Sequence, residues 1–87
     1  MTATADEVAA ELRDLLVDIT GREELRAITS STALFGGGVG LDSLTGTLLL
    51  RRVQRRYGID VAGEDLNLDS LETLGTLAAF IAHARPG

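Results

Sequence analysis

Apolar residues recur at the spacing of an α-helix in three separate segments of this 87-residue chain, and no segment alternates as a β-strand would. An amphipathic helix must cover its apolar stripe, and in a short chain the other helices provide that cover. Eighty-seven residues are too few for two independent cores, and the hydrophobic share of 45% is enough for one small core. The sequence therefore predicts an all-α fold, with residues 1–87 forming a single domain.

The first predicted helix begins after Thr4 and ends at Gly21. Thr4 and Glu7 have the spacing of a capping box, in which each side chain accepts a hydrogen bond from the other residue's backbone amide. Glycine is the usual residue just past a helix end, which places the stop at Gly21. The apolar stripe of this helix comprises Val8, Leu12, Leu15, Leu16 and Ile19.

The second predicted helix runs from Ser43 to Tyr57, with Asp42 as its N-cap and Gly58 as its terminator. Gly46 should weaken its first turns by roughly 1 kcal/mol relative to alanine. The predicted buried face of this helix comprises Leu44, Leu48, Leu49, Val53 and Tyr57.

A long loop is predicted between these two helices, over residues 22–42. The segment has no sustained apolar period, and it includes one predicted helical turn at residues 23–28. Its last part is rich in glycine, which predicts tight turns and a flexible approach to Ser43. The residues expected to anchor the loop to the core are Leu25, Ile28, Leu34 and Phe35.

The last predicted helix runs from Ser70 to Ala84 with Asp69 as its cap, and a short helical turn is predicted at residues 64–68. The predicted architecture is therefore a small four-helix bundle of three main helices and one short helix. The apolar face of the last helix comprises Leu71, Leu74, Leu77, Ala78 and Ile81.

The composition excludes several classes of protein. The chain has no cysteine, which excludes disulfides, thiolate zinc sites and thiol catalysis. An acidic N-terminus and the lack of a long apolar run predict no signal peptide and no membrane partner, and hence a cytoplasmic location. The net charge of −5 argues against a nucleic-acid partner, because phosphate binding is built mostly from basic residues.

No metal site is predicted. The acidic connector lacks the spacing and the central glycine of a calcium loop. His83 is the single histidine and has no paired nucleophile or ligand cluster nearby in sequence, so we interpret it as a surface residue at a helix end. The acidic residues of the connector are Asp60, Glu64, Asp65 and Asp69.

Ser43 is the candidate functional residue. At the first turn of a helix, unpaired backbone N–H groups and the positive end of the macrodipole favour an attached or bound phosphate. The alternative is a helix-cap serine with no chemistry, which is the usual meaning of Asp-Ser before an apolar run. Phosphate-binding loops are improbable here, since Leu41-Asp42 follows the glycines where a P-loop needs Gly-Lys-Ser or Gly-Lys-Thr.

The sequence Leu41-Asp42-Ser43-Leu44 opens an amphipathic helix at mid-chain after a long loop, and a Leu-x-x-Leu-x-x-Leu-x-x-Phe-Ile pattern closes the chain. This combination resembles the acyl carrier and peptidyl carrier proteins over essentially the whole chain. The resemblance implies that a separate phosphopantetheinyl transferase attaches 4′-phosphopantetheine from coenzyme A to Ser43. It also implies that Asp42 and Leu44 help enzymes to recognise the helix start.

The same resemblance implies a carrier that is not an enzyme. The thiol of the attached arm would hold cargo as a thioester, while loading, condensing or transferase enzymes act on it. Acyl, aminoacyl and hydroxyacyl cargoes all stay open. We expect a free-standing, monomeric protein.

A second Leu-Asp-Ser-Leu sequence stands at residues 68–71 and makes Ser70 a rival attachment site. Little chain follows Ser70, and the apolar pattern after it resembles the final helix of the carrier family. Ser70 is therefore interpreted as a neighbour of a helix cap, and the attachment is assigned to Ser43.

The second predicted helix carries four of the eight arginines, and the chain has no lysine. Carriers that serve separate fatty-acid synthesis enzymes commonly have an acidic second helix that docks on basic patches. A basic helix instead favours acidic partners and a dedicated polyketide, nonribosomal peptide or related pathway. The docking surface implied by the resemblance comprises Leu41, Leu44, Leu48, Arg51, Arg52 and Arg55, with Arg56 on the same helix.

Two other interpretations of these arginines stay open. They can simply solvate the outer face of the helix. Alternatively, the chain is a small helical interaction module or a DNA-binding adaptor that uses the arginine-rich helix, although its net acidity and its lack of lysine oppose DNA binding.

Overall fold

A computed structural model describes residues 4–61 and 71–84 of the chain. The predicted all-α fold is confirmed, since this part of the chain holds helices and a single isolated β-bridge. The short helix predicted at residues 64–68 lies outside the described residues. The helices are α1 (Ala5–Thr20), a 3₁₀ helix (Glu23–Ala27), α2 (Ser43–Tyr57) and α3 (Leu74–Ala84).

Both ends of α1 follow the predicted signals. The Thr4 hydroxyl accepts a hydrogen bond from the Glu7 amide at 3.1 Å, and the Glu7 carboxylate accepts one from the Thr4 amide at 3.4 Å. At the other end, Gly21 has a φ of 73° and donates its amide hydrogen to the Val17 carbonyl at 2.7 Å. The capping box and the terminating glycine are confirmed.

The core forms around α1, which packs against the 3₁₀ helix, α2 and α3. Each fully buried leucine contributes roughly 1.5–3 kcal/mol through transfer from water. The largest fully buried side chains come from every helix, from the loop between α1 and α2 and from the segment after α2: Val8, Leu12, Leu16, Leu25, Leu34, Leu49, Val53, Val61, Leu74, Leu77 and Ile81.

The loop between α1 and α2 is anchored partly by residues that the sequence analysis did not identify. Phe35 is 39% exposed, so its prediction as a core anchor is wrong. Val39 and Leu41 are instead buried, with 2% and 7% exposure. The remaining predicted anchors are confirmed as buried or partly buried: Leu25, Ile28 and Leu34.

The glycine-rich segment is a folded turn, whereas the sequence predicts a flexible approach. The Val39 amide donates to the Ala33 carbonyl at 2.7 Å, and the Leu41 amide donates to the Leu34 carbonyl at 3.0 Å. These bonds form because burial of Val39 and Leu41 brings the segment back onto the core. The predicted tight turning is confirmed, since two glycines have left-handed backbone: Gly36 at φ 73° and Gly40 at φ 74°.

α3 begins at Leu74, later than the predicted start at Ser70. The Leu34 amide donates to the Glu72 carbonyl at 3.0 Å, and the Leu74 amide donates to the Thr32 carbonyl at 3.0 Å. These bonds flank an antiparallel bridge between Ala33 and Thr73, so α3 begins only after Thr73. The prediction failed because the pairing partner lies far away in sequence.

The cap of α3 is Thr73. Its hydroxyl accepts a hydrogen bond from the Thr76 amide at 3.1 Å, and the Thr73 amide donates to the Thr76 hydroxyl at 2.9 Å. This reciprocal arrangement satisfies donors at the helix start as a capping box does. The predicted cap, Asp69, lies outside the described residues.

Gly38→Ala should lower the free energy of unfolding by about 2–4 kcal/mol, because the backbone must move to accept a side chain. A Cβ at Gly38 would lie 2.0 Å from the Ala33 carbonyl oxygen. Gly37→Ala is the matched control, since its Cβ would meet nothing within 4 Å. Urea denaturation of both variants measures the difference, and equal free energies would contradict the close approach of Gly38 to Ala33.

Candidate functional site

The candidate site lies where the glycine-rich turn meets α2. Asp42 is the N-cap, and its carboxylate accepts a hydrogen bond from the Thr45 amide at 2.7 Å. The Gly46 amide donates to the Asp42 carbonyl at 2.8 Å and closes the first turn. Ser43 is therefore the first residue of the helix, which confirms the predicted start and cap.

Asp42 is ionised at neutral pH. The hydrogen bond from the Thr45 amide, followed by the one from the Thr45 hydroxyl, holds the pKa of the Asp42 carboxyl below its ordinary value of 3.8. The negative charge at the helix start is favourable with respect to the helix dipole. Asp42 thus fixes the position of Ser43 without using the Ser43 side chain.

The Ser43 side chain is exposed to solvent. The backbone carbonyl of Ser43 accepts a hydrogen bond from the Thr47 hydroxyl, one turn farther along α2, at 2.8 Å. Among residues 4–61 and 71–84, none forms a hydrogen bond with the Ser43 hydroxyl. Because Asp42 supplies the cap, the hydroxyl has no capping role and is accessible to another molecule.

The buried side of α2 differs from the prediction. Leu44 and Leu48 are 71% and 42% exposed, so their predicted burial is wrong. These two leucines lie about half a turn away from the stripe of α2 that the core covers. The buried stripe comprises Gly46, Leu49, Val53 and Tyr57.

We call the other side of α2 the outward stripe: Leu44, Leu48, Arg51 and Arg55. These four exposed residues follow one another at the spacing of a single helix face. The stripe begins at the residue after Ser43, which places two exposed leucines beside the hydroxyl and two arginines farther along. A shallow surface concavity of about 420 Å³ is lined by Leu48, Arg51, Arg52, Gln54 and Arg55.

The four arginines of α2 divide into two pairs. Arg52 forms an ion pair with Asp18 at 2.6 Å, and Arg56 forms one with Glu11 at 3.4 Å, both acids belonging to α1. Exposed pairs of this kind contribute about 0–1 kcal/mol each. Within the described part of the chain, Arg51 and Arg55 have no carboxylate at ion-pair distance, so their charges face solvent.

Tyr57 joins the end of α2 to α1. Its hydroxyl donates a hydrogen bond to the Glu11 carboxylate, which also pairs with Arg56. Burial, together with this hydrogen bond, raises the pKa of the Tyr57 hydroxyl well above its ordinary value. Together with the Arg52 pair, this contact joins α2 to α1 on the side of the helix away from the outward stripe.

Leu41, a predicted docking residue, differs from the outward stripe in its burial, whereas the sequence predicts no site at His83 or Ser70. Leu41 is 7% exposed and supports the helix start from inside the core. His83 is exposed in the last turn of α3. Ser70 lies outside the described residues.

No group of three or more potential metal ligands occurs in residues 4–61 and 71–84. Over the same ranges, every helix is too short or too polar to cross a membrane.

Comparison with known proteins adds a family match. The sequence profile of the family described as "Phosphopantetheine attachment site" matches residues 10–81. The chain is 30% identical over 81 residues to the acyl carrier protein of Rhodococcus erythropolis, covering 93% of this chain and 85% of that protein. It is 28% identical over 81 residues to the meromycolate extension acyl carrier protein of Mycolicibacterium smegmatis, covering 93% of this chain and 78% of that protein.

The Asp42 cap should make stability depend on pH in the acid range. Its folded-state pKa is lowered, so the ionised carboxylate stabilises the fold above pH 3.8, and this contribution is lost as the pH falls through the folded-state pKa. Asp42→Asn keeps an acceptor but cannot ionise, so its stability should fall less than that of the wild type on acidification. Asp42→Ala has no side-chain acceptor for the Thr45 amide, so it should be less stable than both the wild type and Asp42→Asn at every pH.

Thermal unfolding from neutral pH to below pH 3.8 measures these differences. Parallel pH profiles for the wild type and Asp42→Asn would show that the ionised cap is not the titrating group.

Proposed function

The chain belongs to the phosphopantetheine-attachment family of carrier proteins, and we propose that it carries 4′-phosphopantetheine on Ser43 as a free-standing acyl carrier. Carriers of this family hold the group covalently and are not catalysts. When attached, the group supplies a thiol that holds an acyl chain as a thioester. Residues 1–87 would form one carrier domain in this proposal.

The observation that carries the proposal is the exposed Ser43 hydroxyl at the start of α2. The first amides of a helix have no partner within the helix, and Asp42 accepts from only one of them, that of Thr45. The amides of Ser43 and Leu44 thus stay near a phosphate attached to the hydroxyl, at the positive end of the dipole. The residues present fit a phosphodiester on Ser43.

The attachment step follows from the same geometry. The Ser43 oxygen forms a bond to phosphorus, the pyrophosphate bond of coenzyme A breaks, and adenosine 3′,5′-bisphosphate leaves. The hydroxyl proton must pass to a base. None of the described residues forms a hydrogen bond with the hydroxyl, so we assign the base to the transferase. The chain contributes a positioned and accessible nucleophile.

We propose the outward stripe as the docking surface for partner enzymes. Leu44 and Leu48 provide an apolar centre, while Arg51 and Arg55 provide unpaired positive charge in a chain whose net charge is −5. Such a surface complements an apolar depression, bordered by carboxylates, on the partner enzyme. The proposed docking surface does not include Leu41, because the Leu41 side chain is buried. The docking role predicted for Arg52 stays a prediction, because its charge is paired with Asp18.

An acidic partner favours a dedicated pathway, such as polyketide or nonribosomal peptide synthesis, over general fatty-acid synthesis. The names of the two relatives support acyl cargo, since both are acyl carrier proteins and one is named for meromycolate extension. The cytoplasmic location and the monomeric state stay predictions of the sequence.

Purified wild-type protein should gain the mass of one phosphopantetheine group when incubated with coenzyme A and a broad-specificity phosphopantetheinyl transferase. Ser70→Ala should gain the same mass, and Ser43→Ala should gain none, because the accessible nucleophile is Ser43. Intact-mass spectrometry measures all three. A wild type that is not modified, or a Ser43→Ala variant that is, would refute the assignment.

Arg51→Gln/Arg55→Gln should raise the KM for the carrier with the loading enzyme of its own pathway by about threefold to tenfold. Arg52→Gln/Arg56→Gln removes the same charge from residues that are paired with α1, so it is the matched control and should have a smaller effect. Steady-state loading of the phosphopantetheinylated variants at low and high salt measures both. Equal effects of the two pairs would argue against a docking role for the outward stripe.

A further inference from the structure

Phe35 is exposed, and its position is set by α2. It is one of three large apolar side chains that are exposed in the described part of the chain, and the other two, Leu44 and Leu48, belong to the outward stripe. The Phe35 ring packs against Gly46, since a Cβ at that glycine would lie 2.9 Å from ring atom Cε1 and 3.0 Å from Cζ. One side of the ring therefore contacts the helix while 39% of the residue faces solvent.

The backbone on both sides of this contact is fixed. Leu34, which precedes Phe35, is 1% exposed, and its amide and carbonyl both form hydrogen bonds. Gly46 is buried in the first turns of α2, and its amide is bonded to the Asp42 carbonyl. An aromatic side chain held in this way loses little conformational entropy when another protein packs on it.

The ring lies close to the modified residue. Gly46 follows Ser43 by three residues, which is about 4.5 Å along the helix axis. At 100° per residue, Gly46 and Leu44 lie on opposite sides of Ser43, so Phe35 and the outward stripe flank the hydroxyl. Leu44 is 71% exposed on its side, and Phe35 is the exposed apolar residue on the other.

We propose that Phe35, seated on Gly46, is a contact residue for the phosphopantetheinyl transferase that modifies Ser43. The inference rests on the proposed attachment at Ser43. A standard protein interface covers about 800 Å² per partner, a patch roughly 30 Å across, so an interface centred on Ser43 is large enough to include Phe35. Aromatic residues held in place are the usual anchors of such interfaces. The transferase thus binds the helix start from both sides of the serine.

The glycine at position 46 offers a way to separate contact from stability. Alanine favours a helix more than glycine does, but its Cβ would displace the end of the Phe35 ring. The ring can swing toward solvent because it is already partly exposed. Gly46→Ala should therefore leave the melting temperature unchanged or higher while it weakens recognition by the transferase.

The experiment varies the concentration of the unmodified carrier at saturating coenzyme A with a broad-specificity transferase. Phe35→Ala should raise the KM for the carrier by about tenfold, the size of one lost interface anchor, with little change in kcat. Phe35→Leu should restore part of the affinity, and Gly46→Ala should raise the KM without lowering the melting temperature. Phe80→Ala is the matched control, because Phe80 is a partly buried phenylalanine of α3.

An unchanged KM in Phe35→Ala or in Gly46→Ala would overturn the inference, and so would an equal rise in Phe80→Ala. An unmodified wild type, or a Ser43→Ala variant that is modified, would refute the proposed attachment at Ser43. The proposed role of Phe35 would then be refuted as well, because it rests on that attachment. Intact mass distinguishes these cases from a change in KM alone.

Discussion

The packing of α2 on α1 decides what another protein can reach. Val53 is fully buried in this contact, and Tyr57 binds Glu11 while Arg52 pairs with Asp18. A rotation of α2 by half a turn would bury Leu44 and expose the other apolar stripe. Burial of Leu49, Val53 and Tyr57 holds the observed rotation, and the exposed polar contacts with Glu11 and Asp18 add little to it, so the surface beside Ser43 depends on the packing of the opposite face of the same helix.

Local chemistry made part of this structure predictable. A cap acts over three or four residues, so Thr4, Asp42, Gly21 and Gly58 could be assigned from the sequence alone, and with them the position of Ser43. The family resemblance then supplied the chemistry that we propose for that serine. Neither step required any knowledge of the tertiary packing.

The features that failed depend mostly on distant residues. The prediction placed Leu44 and Leu48 on the buried face of α2 because both are leucines, although they share a helix face with Arg51 and Arg55, whereas Leu49 shares one with Val53 and Tyr57. The start of α3 depends on bonds to residues 30–34, which no local pattern in the last helix reveals. Likewise, Arg52 and Arg56 are paired because Asp18 and Glu11 of α1 lie beside them, whereas Arg51 and Arg55 have no such neighbour among the described residues. Fold class was therefore predictable, whereas the start of α3 and the pairing of the arginines were not.

Because the Phe35 ring packs on Gly46, the residues that evolution can accept at positions 35 and 46 depend on each other. A substitution that places a Cβ at position 46 leaves no room for the ring as it now lies, and loss of the ring removes the reason for a glycine within a helix. Each residue therefore limits which replacements the other can accept. The loop and the helix should diverge together, as a single inherited unit beside the serine.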